Sequence, residues 1–238
     1  MDNIKQLLRI LDIALPFPIL LGSCVMVFGS DSTFFSGFTY FLSFIHHASR
    51  LVRYLMQRDI GDSIFNRILC NKDFHLAIFM CITWYINYYF FLNYLRIAIL
   101  NFILLIEIIY NVLSESCGSL KGNVQSLTKP LLNNVYIYRF NAIVDVVILP
   151  YLITKAIVSF KGNYYFVMFI YLVGYIFLSL LIDVYQQWVW AYLHNVIDKI
   201  ARQYHDTFGK HVLAALEQFC KIPNYAKMIY KPSVFKVH

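Results

Sequence analysis

Charged residues are scarce in this chain. Aspartate, glutamate, lysine and arginine together make up 14% of its 238 residues, whereas 60% are hydrophobic. A soluble domain of this size carries about 25% charged residues, because its surface has to be hydrated. The composition therefore excludes an ordinary soluble enzyme and a disordered chain, and it predicts a protein that crosses a lipid bilayer several times.

Cysteines and catalytic motifs are also sparse. The five cysteines show no CxxC spacing and are odd in number, so neither a disulfide framework nor a zinc site is expected. The seven histidines include one adjacent pair, His46 and His47, but not the clusters that a membrane di-iron centre needs. GxSxG, HExxH and glycine-rich phosphate-loop motifs are absent from the sequence. We therefore predict no catalytic residue, no metal and no cofactor.

Six apolar segments are candidates for membrane helices. Residues 74–95 and 162–182 are the clearest, because each is uncharged and long enough to cross a hydrocarbon core of about 30 Å at ~1.5 Å per residue. The other candidates are residues 13–30, 32–49, 97–114 and 140–154. Short connections near Asp31, at Arg96 and at 155–161 predict three antiparallel hairpins, with four to six segments in the membrane.

The basic residues are distributed unevenly along the chain. The tight connections contain only Arg96, Lys155 and Lys161 of the 20 lysines and arginines. By the positive-inside rule, both termini and both long linkers face the cytoplasm. We attribute the net charge of +7 to these segments and to the anionic lipid they face, and we expect no direct contact with nucleic acid.

The predicted fold class is an all-α, polytopic helical membrane protein with cytoplasmic amphipathic helices. Residues 1–113 form an N-terminal membrane module with two hairpins and a basic interfacial linker at 46–73. Residues 114–134, which contain Gly118, Gly122 and Pro130, are predicted to be a flexible cytoplasmic linker. Residues 135–183 form a C-terminal membrane hairpin, and residues 184–238 form a cytoplasmic amphipathic helical tail.

Two segments are predicted to contact the lipid surface. In the first linker, arginines alternate with apolar residues, as in a basic helix that lies at the interface. These interfacial arginines are Arg50, Arg53, Arg58 and Arg67. In the tail, apolar residues recur with a helical period and basic residues lie beside them. The membrane-binding residues predicted there are Trp188, Val189, Leu193, Val196, Ile200, Tyr204 and Phe208, with Lys199, Arg202 and Lys210 for anionic lipid. Packing of the same stripe onto the protein's own membrane helices is an equally good interpretation.

Two acidic residues lie inside apolar segments. Asp145 follows Phe140 by five residues, so we expect it near the interface. Glu107 lies about 10 Å or more from either end of its predicted segment. A carboxylate at that depth costs roughly 2.5–3.5 kcal/mol unless it is protonated or paired. An ion or proton site is one interpretation; we favour a carboxylate that lies near headgroups or is paired within the bundle.

Four stretches, in this order, resemble the transmembrane protein 33 family, also called Krüppel homologue 2. They are the proline-containing first segment with FFSGFTYFLSFIHHASRLVRY, residues 70–114 with their polar entry, RFNAIVDVVILPYLI, and the amphipathic helix after the last segment. The resemblance covers residue 4 to about residue 219. It implies a non-enzymatic protein of the endoplasmic reticulum and nuclear envelope that shapes or stabilises curved membrane and supports nuclear-pore assembly or distribution.

The expected partners follow from these features. They are the lipid bilayer, in particular its anionic cytoplasmic leaflet, together with nuclear-pore or reticulum-shaping membrane proteins and further copies of the chain. The alternative function is a small membrane channel or transporter that uses Glu107 and Asp145.

Overall fold

The computed structural model describes residues 2–29, 32–56, 68–69, 71–116, 121–203, 210–211, 214, 217–218, 221–222 and 224. The described residues contain helices and no strand, which confirms the all-α fold class. Four helical stretches have the length and hydropathy needed to cross a membrane. They are Asn3–Phe28, Phe91–Val112, Val135–Ser159 and Gly162–Leu181. The protein is therefore a multi-pass helical membrane protein with four candidate spans.

Most of the described helices follow one another with short connections, whereas residues 57–71 separate α3 from α4. A π-helical segment, Ile170–Ile176, interrupts the last candidate span. The α-helices are α1 (Asp2–Ala14), α2 (Pro16–Phe28), α3 (Thr33–Met56), α4 (Lys72–Tyr85), α5 (Phe91–Ser116), α6 (Lys121–Leu132), α7 (Val135–Ser159), α8 (Gly162–Phe169), α9 (Phe177–Ile182) and α10 (Val184–Gln203).

Polar side chains begin three of these helices. The Asn71 side chain accepts a hydrogen bond of 2.8 Å from the backbone N–H of Asp73, at the start of α4. Asn134 accepts one of 3.0 Å from the N–H of Tyr136 in α7, and Asp183 accepts one of 2.9 Å from the N–H of Tyr185 in α10. Such caps satisfy backbone donors that have no partner within the helix.

The predicted span at 74–95 is wrong. Helix α4 ends at Tyr85, residues 86–90 form a turn, and α5 begins at Phe91. Asn87 has a φ of 51° in this turn, a left-handed conformation that asparagine adopts more readily than most residues. The turn contains no charge, so hydropathy does not reveal it. Arg96 consequently lies inside α5 and not in a connection between helices.

Three other predicted boundaries also need correction. Helix α7 continues to Ser159, so Lys155 is helical. The connection between α7 and α8 is therefore only Phe160 and Lys161, and not the predicted 155–161. Helix α3 extends to Met56 and is not among the four candidate spans. The segment predicted as a flexible linker, 114–134, contains helix α6, which packs against α5.

The tight turns lie together at one end of the bundle. Gly37, near the start of α3, lies beside the Trp84 ring and the Tyr89 hydroxyl. The Tyr88 ring centroid is 4.6 Å from that of Tyr164, which lies just beyond the third turn. We refer to this end of the bundle as the turn end and to the opposite end as the linker end.

The core lies between α2, α3, α4, α5, α7 and the π-helical segment. Its fully buried side chains include Ile19, Tyr40, Phe79, Leu149 and Tyr171. Large apolar side chains also cover much of the outer surface, as expected where lipid replaces water as the solvent. The outward-facing examples include Phe17, Leu21, Phe102, Val147 and Phe166.

Candidate functional site

A charged pair lies at the centre of the bundle. The Nε of Arg96 on α5 donates a hydrogen bond of 2.6 Å to Oδ1 of Asp145 on α7, and both side chains are almost completely buried. The other carboxylate oxygen of Asp145 accepts bonds of 2.8 Å from the Tyr175 hydroxyl and 2.9 Å from Nε2 of Gln186. The Arg96 guanidinium also lies 4.5 Å from the centroid of the Tyr175 ring. The pair thus joins α5, α7, the π-helical segment and α10.

This cluster continues to α3. Nη1 of Arg96 lies 3.4 Å from Oδ1 of Asn93, whose amide nitrogen donates a bond of 2.7 Å to the Tyr40 hydroxyl. Tyr171 donates a hydrogen bond of 2.9 Å to the backbone carbonyl of Asp145. Buried charges need this degree of hydrogen bonding to offset the loss of water, and such a network holds helices in one arrangement.

The sequence did not reveal this cluster. The candidate span begins at Val135, ten residues before Asp145, and ends at Ser159, fourteen residues after it, so the expected position of Asp145 near the interface is wrong. Asp145 is also only 1% exposed. Arg96, Tyr175 and Gln186 were not predicted as site residues at all. The one available signal in the sequence was that Arg96 and Asp145, which have opposite charges, both lie in or beside apolar segments. The prediction missed this signal because it placed Arg96 in a turn between helices.

Charged side chains connect four segments at the linker end. Asp12 of α1 pairs with Arg53 of α3. The Nδ1 atom of His47 lies 2.8 Å from Oδ1 of Asp73 on α4, and Arg50 lies 3.5 Å from the other oxygen of that carboxylate.

A further ion pair links the start of α4 to the end of the last membrane span. The Lys72 ammonium lies 3.1 Å from Oδ2 of Asp183, between α9 and α10. Burial by itself would raise the pKa of Asp73, but the hydrogen bond from His47 and the positive charge of Arg50 outweigh it, so the pKa is lowered. Asp73 is therefore a carboxylate at neutral pH.

A cavity of about 270 Å³ lies at the same end, between α1, α3 and α5. Its lining brings together three residues that the sequence singled out separately: Arg50, Arg53 and Glu107. The cavity is also lined by the polar residues Arg9, Asp12 and His46. A neighbouring cavity of about 570 Å³ shares Arg9 and Arg53 with this one. Another, of about 300 Å³, shares Arg50 with it. We refer to the cavity of about 270 Å³ as the arginine cavity.

Glu107 lies closer to one end of its span than predicted. It precedes Val112, the last residue of the candidate span, by five residues, or about 8 Å of helical rise. The candidate span ends at Val112, two residues before the end of the predicted segment, which accounts for the difference. Glu107 lines the arginine cavity, whereas Asp145 is enclosed in the buried cluster, so the two acids belong to separate sites.

The tail helix α10 contacts the bundle through part of its predicted lipid-binding stripe. Val189 is 3% exposed and Leu193 packs against the core, so Val189 has no surface left for lipid. Val196 is half-buried, whereas Ile200 and Lys199 are exposed. A different face of α10 is open, with Trp188 36% exposed and Tyr192 58% exposed.

Several predicted residues lie outside what the structure describes. They are Arg58, Arg67, Tyr204 and Phe208, together with the side chain of Arg202. Lys210 is described as helical and exposed.

No family model, curated protein or solved structure matches this chain. The resemblance to the transmembrane protein 33 family therefore stays a prediction.

Proposed function

We propose that this chain is a non-enzymatic protein of the endoplasmic reticulum and nuclear envelope. It shapes or stabilises curved membrane and supports nuclear-pore assembly or distribution, together with other membrane proteins of those structures. The resemblance to the transmembrane protein 33 family is the reason for naming this compartment and the link to nuclear pores. An unequal width of the bundle at its two ends supports the action on curvature.

The unequal width arises from where the extra helices lie. In the part of the chain that the structure describes, the turn end contains the short connections at residues 86–90 and 160–161, together with the start of α3. The linker end additionally carries α6, which packs against α5, and α10, which packs against α7 and α9. A protein that takes up more area in one leaflet than in the other favours bending toward the narrower side.

Amphipathic surfaces at the linker end add to this asymmetry. Trp188 and Tyr192 are one helical turn apart on α10, and their rings stack with a centroid separation of 5.8 Å. Exposed aromatic rings with one polar atom favour the headgroup region of a bilayer. On α1, the side chains of Ile4, Leu7 and Ile10 are exposed in the same way. These groups are suited to insertion into a single leaflet.

The proposal on curvature can be tested with the full chain in giant vesicles. Fluorescently labelled protein should concentrate in a thin membrane tube pulled from the vesicle, relative to the flat membrane. Replacing Trp188 and Tyr192 together by serine should reduce this enrichment, because it removes headgroup anchors from the wider end. Tyr85→Ser, which removes an exposed tyrosine at the turn end, is the matched control. Equal protein density in tube and flat membrane would contradict the proposal.

The proposed compartment has its own test. A fluorescently tagged full chain should mark a tubular cytoplasmic network and a punctate nuclear rim. Residence in the plasma membrane or in mitochondria would contradict this location, whatever the outcome of the curvature measurement.

A further inference from the structure

The arginine cavity contains charges of both signs that the described residues do not fully pair. Arg53 and Asp12 pair with each other, and Arg50 is 3.5 Å from Asp73. Within the described part of the chain, Arg9 and Glu107 form no ion pair at 4.0 Å or less, although both line the cavity. A ligand that satisfied both would carry a negative group and a positive group.

His46 is a second, independent sign of a ligand. Its side chain is 2% exposed and lines the cavity. Among the residues that the structure describes, neither Nδ1 nor Nε2 of His46 has a hydrogen-bond partner. Buried polar atoms in proteins are nearly always hydrogen-bonded to protein, water or ligand, so both ring nitrogens of His46 are available to a bound molecule.

The position of the cavity favours an amphiphile. Its apolar lining consists of Ile13, Leu104, Ile108 and Val112, which continue the apolar surfaces of α1 and α5. Glu107 is about 8 Å from the end of its span, so the cavity lies in the half of the bilayer nearest the linker end. A volume of about 270 Å³ lies just below the ~300–1,000 Å³ typical of sites for drug-sized ligands, and it suits a headgroup better than a whole lipid.

The positive group is best matched by a primary ammonium. An ammonium has three N–H donors, and the Glu107 carboxylate and a His46 ring nitrogen are acceptors for them. A quaternary ammonium has no such donor and is usually held by aromatic rings. The described residues that line the cavity include no phenylalanine, tyrosine or tryptophan.

We propose that the arginine cavity binds the phosphoethanolamine headgroup of phosphatidylethanolamine. Arg9 and Arg50 donate hydrogen bonds to the phosphate, while Glu107 and His46 accept from the ammonium. The acyl chains extend from the cavity along the apolar surfaces of α1 and α5. This site is independent of the compartment in which the protein acts and of its effect on curvature.

Native mass spectrometry of the full chain in detergent tests the proposal. The lipids are phosphatidylethanolamine, phosphatidylcholine and phosphatidylglycerol with identical acyl chains. Phosphatidylethanolamine should stay bound to the wild-type protein at the highest collision energy and with the lowest Kd. Glu107→Gln should weaken its binding about tenfold, the effect of one lost charge-assisted contact, and leave phosphatidylglycerol binding unchanged or stronger. Arg9→Gln should weaken binding of both lipids.

Two matched controls remove charges elsewhere. Glu217→Gln and Lys161→Gln replace exposed residues that do not line the cavity, and neither should alter lipid binding. Weaker binding of phosphatidylethanolamine by Glu107→Gln, without a loss of phosphatidylglycerol binding, would not arise from general damage to the fold, which would weaken both.

Two results would overturn the proposal. One is equal retention of phosphatidylethanolamine and phosphatidylcholine by the wild-type protein, with no response to Glu107→Gln. The other is displacement of the lipid by an equal concentration of soluble glycerophosphoethanolamine. That result would identify a soluble phosphoester and not a lipid as the ligand.

Discussion

At the scale of single residues, the pairing of Arg96 with Asp145 has the largest energetic consequence. Moving one charge from water into the protein interior costs several kcal/mol, and the attraction of a partner offsets this only with good geometry. Here the 2.6 Å contact, the Tyr175 hydroxyl and the Gln186 amide meet that condition. Removing one member is therefore more harmful than removing both.

Asp145→Asn should destabilise the protein by about 3–5 kcal/mol, because it leaves the Arg96 guanidinium buried without a counter-charge. The double variant Arg96→Met with Asp145→Leu removes both charges and should recover a large part of this loss. Thermal unfolding of the full chain in one detergent provides the measurement, with Glu217→Gln as an exposed acid-to-amide control. An Asp145→Asn protein as stable as the wild type would contradict the structural role.

Asp73→Asn should destabilise the protein by about 1–3 kcal/mol at neutral pH, since the amide cannot replace the carboxylate in its hydrogen bond with His47 and its ion pair with Arg50. The pKa of Asp73 is lowered in the folded protein, so the carboxylate stabilises the fold above its ordinary pKa, about 4. This contribution disappears as the pH falls through the lowered value. The free energies of unfolding of the wild type and Asp73→Asn should therefore converge as the pH is lowered. A constant difference down to pH 3 would contradict a stabilising role for the Asp73 charge.

At the scale of elements, close helix contacts depend on glycine. Gly174 lies in the π-helical segment, and a Cβ placed there would be 2.6 Å from Nδ1 of His75 on α4. His75 is itself held by a contact of 2.6 Å between Nε2 and the backbone oxygen of Leu69. The irregular segment and the approach of α4 are thus parts of one packing arrangement.

Gly174→Ala should destabilise the protein by about 1–3 kcal/mol, because the added methyl group forces His75 or the helix backbone to move. Gly122→Ala is the matched control, since a Cβ at Gly122 in α6 meets no atom within 4 Å. Alanine has the higher helix propensity, so the control should be neutral or stabilising by up to about 1 kcal/mol. The difference in unfolding temperature between the two variants is the measurement, and equal values would contradict the close contact.

At the scale of the whole molecule, the two ends of the bundle differ in charge as well as in width. The ion pairs of Asp12, Asp73 and Asp183 with basic side chains lie at the linker end, whereas aromatic contacts such as Tyr88 with Tyr164 lie at the turn end. We predict that the linker end, with both termini, faces the cytoplasm, as the distribution of basic residues suggests.

Glycosylation acceptor sites test this orientation. Sites inserted at the N-terminus, near Gly118 and after Phe219 should all stay unmodified in the endoplasmic reticulum. In a cysteine-free background, Lys199→Cys should react with a membrane-impermeant maleimide once the plasma membrane alone is opened, while Lys161→Cys should stay protected. Modification of any of the three inserted sites, or labelling of Lys161→Cys, would overturn the predicted orientation.

The sequence by itself determined the fold class and indicated several membrane spans, because hydropathy and helical periodicity act locally along the chain. It did not determine every span, since it predicted one at 74–95 where the structure has a turn. It also indicated Glu107 and Asp145 as unusual, since an acid in an apolar run is visible without knowing the fold. Only the tertiary structure decided that Asp145 pairs with Arg96 and that Glu107 shares a cavity with Arg50 and Arg53. It also decided the turn at 86–90 and the burial of Val189. These features depend on which helices pack together, and a pairing between residues as far apart as 96 and 145 leaves no periodic trace in the sequence.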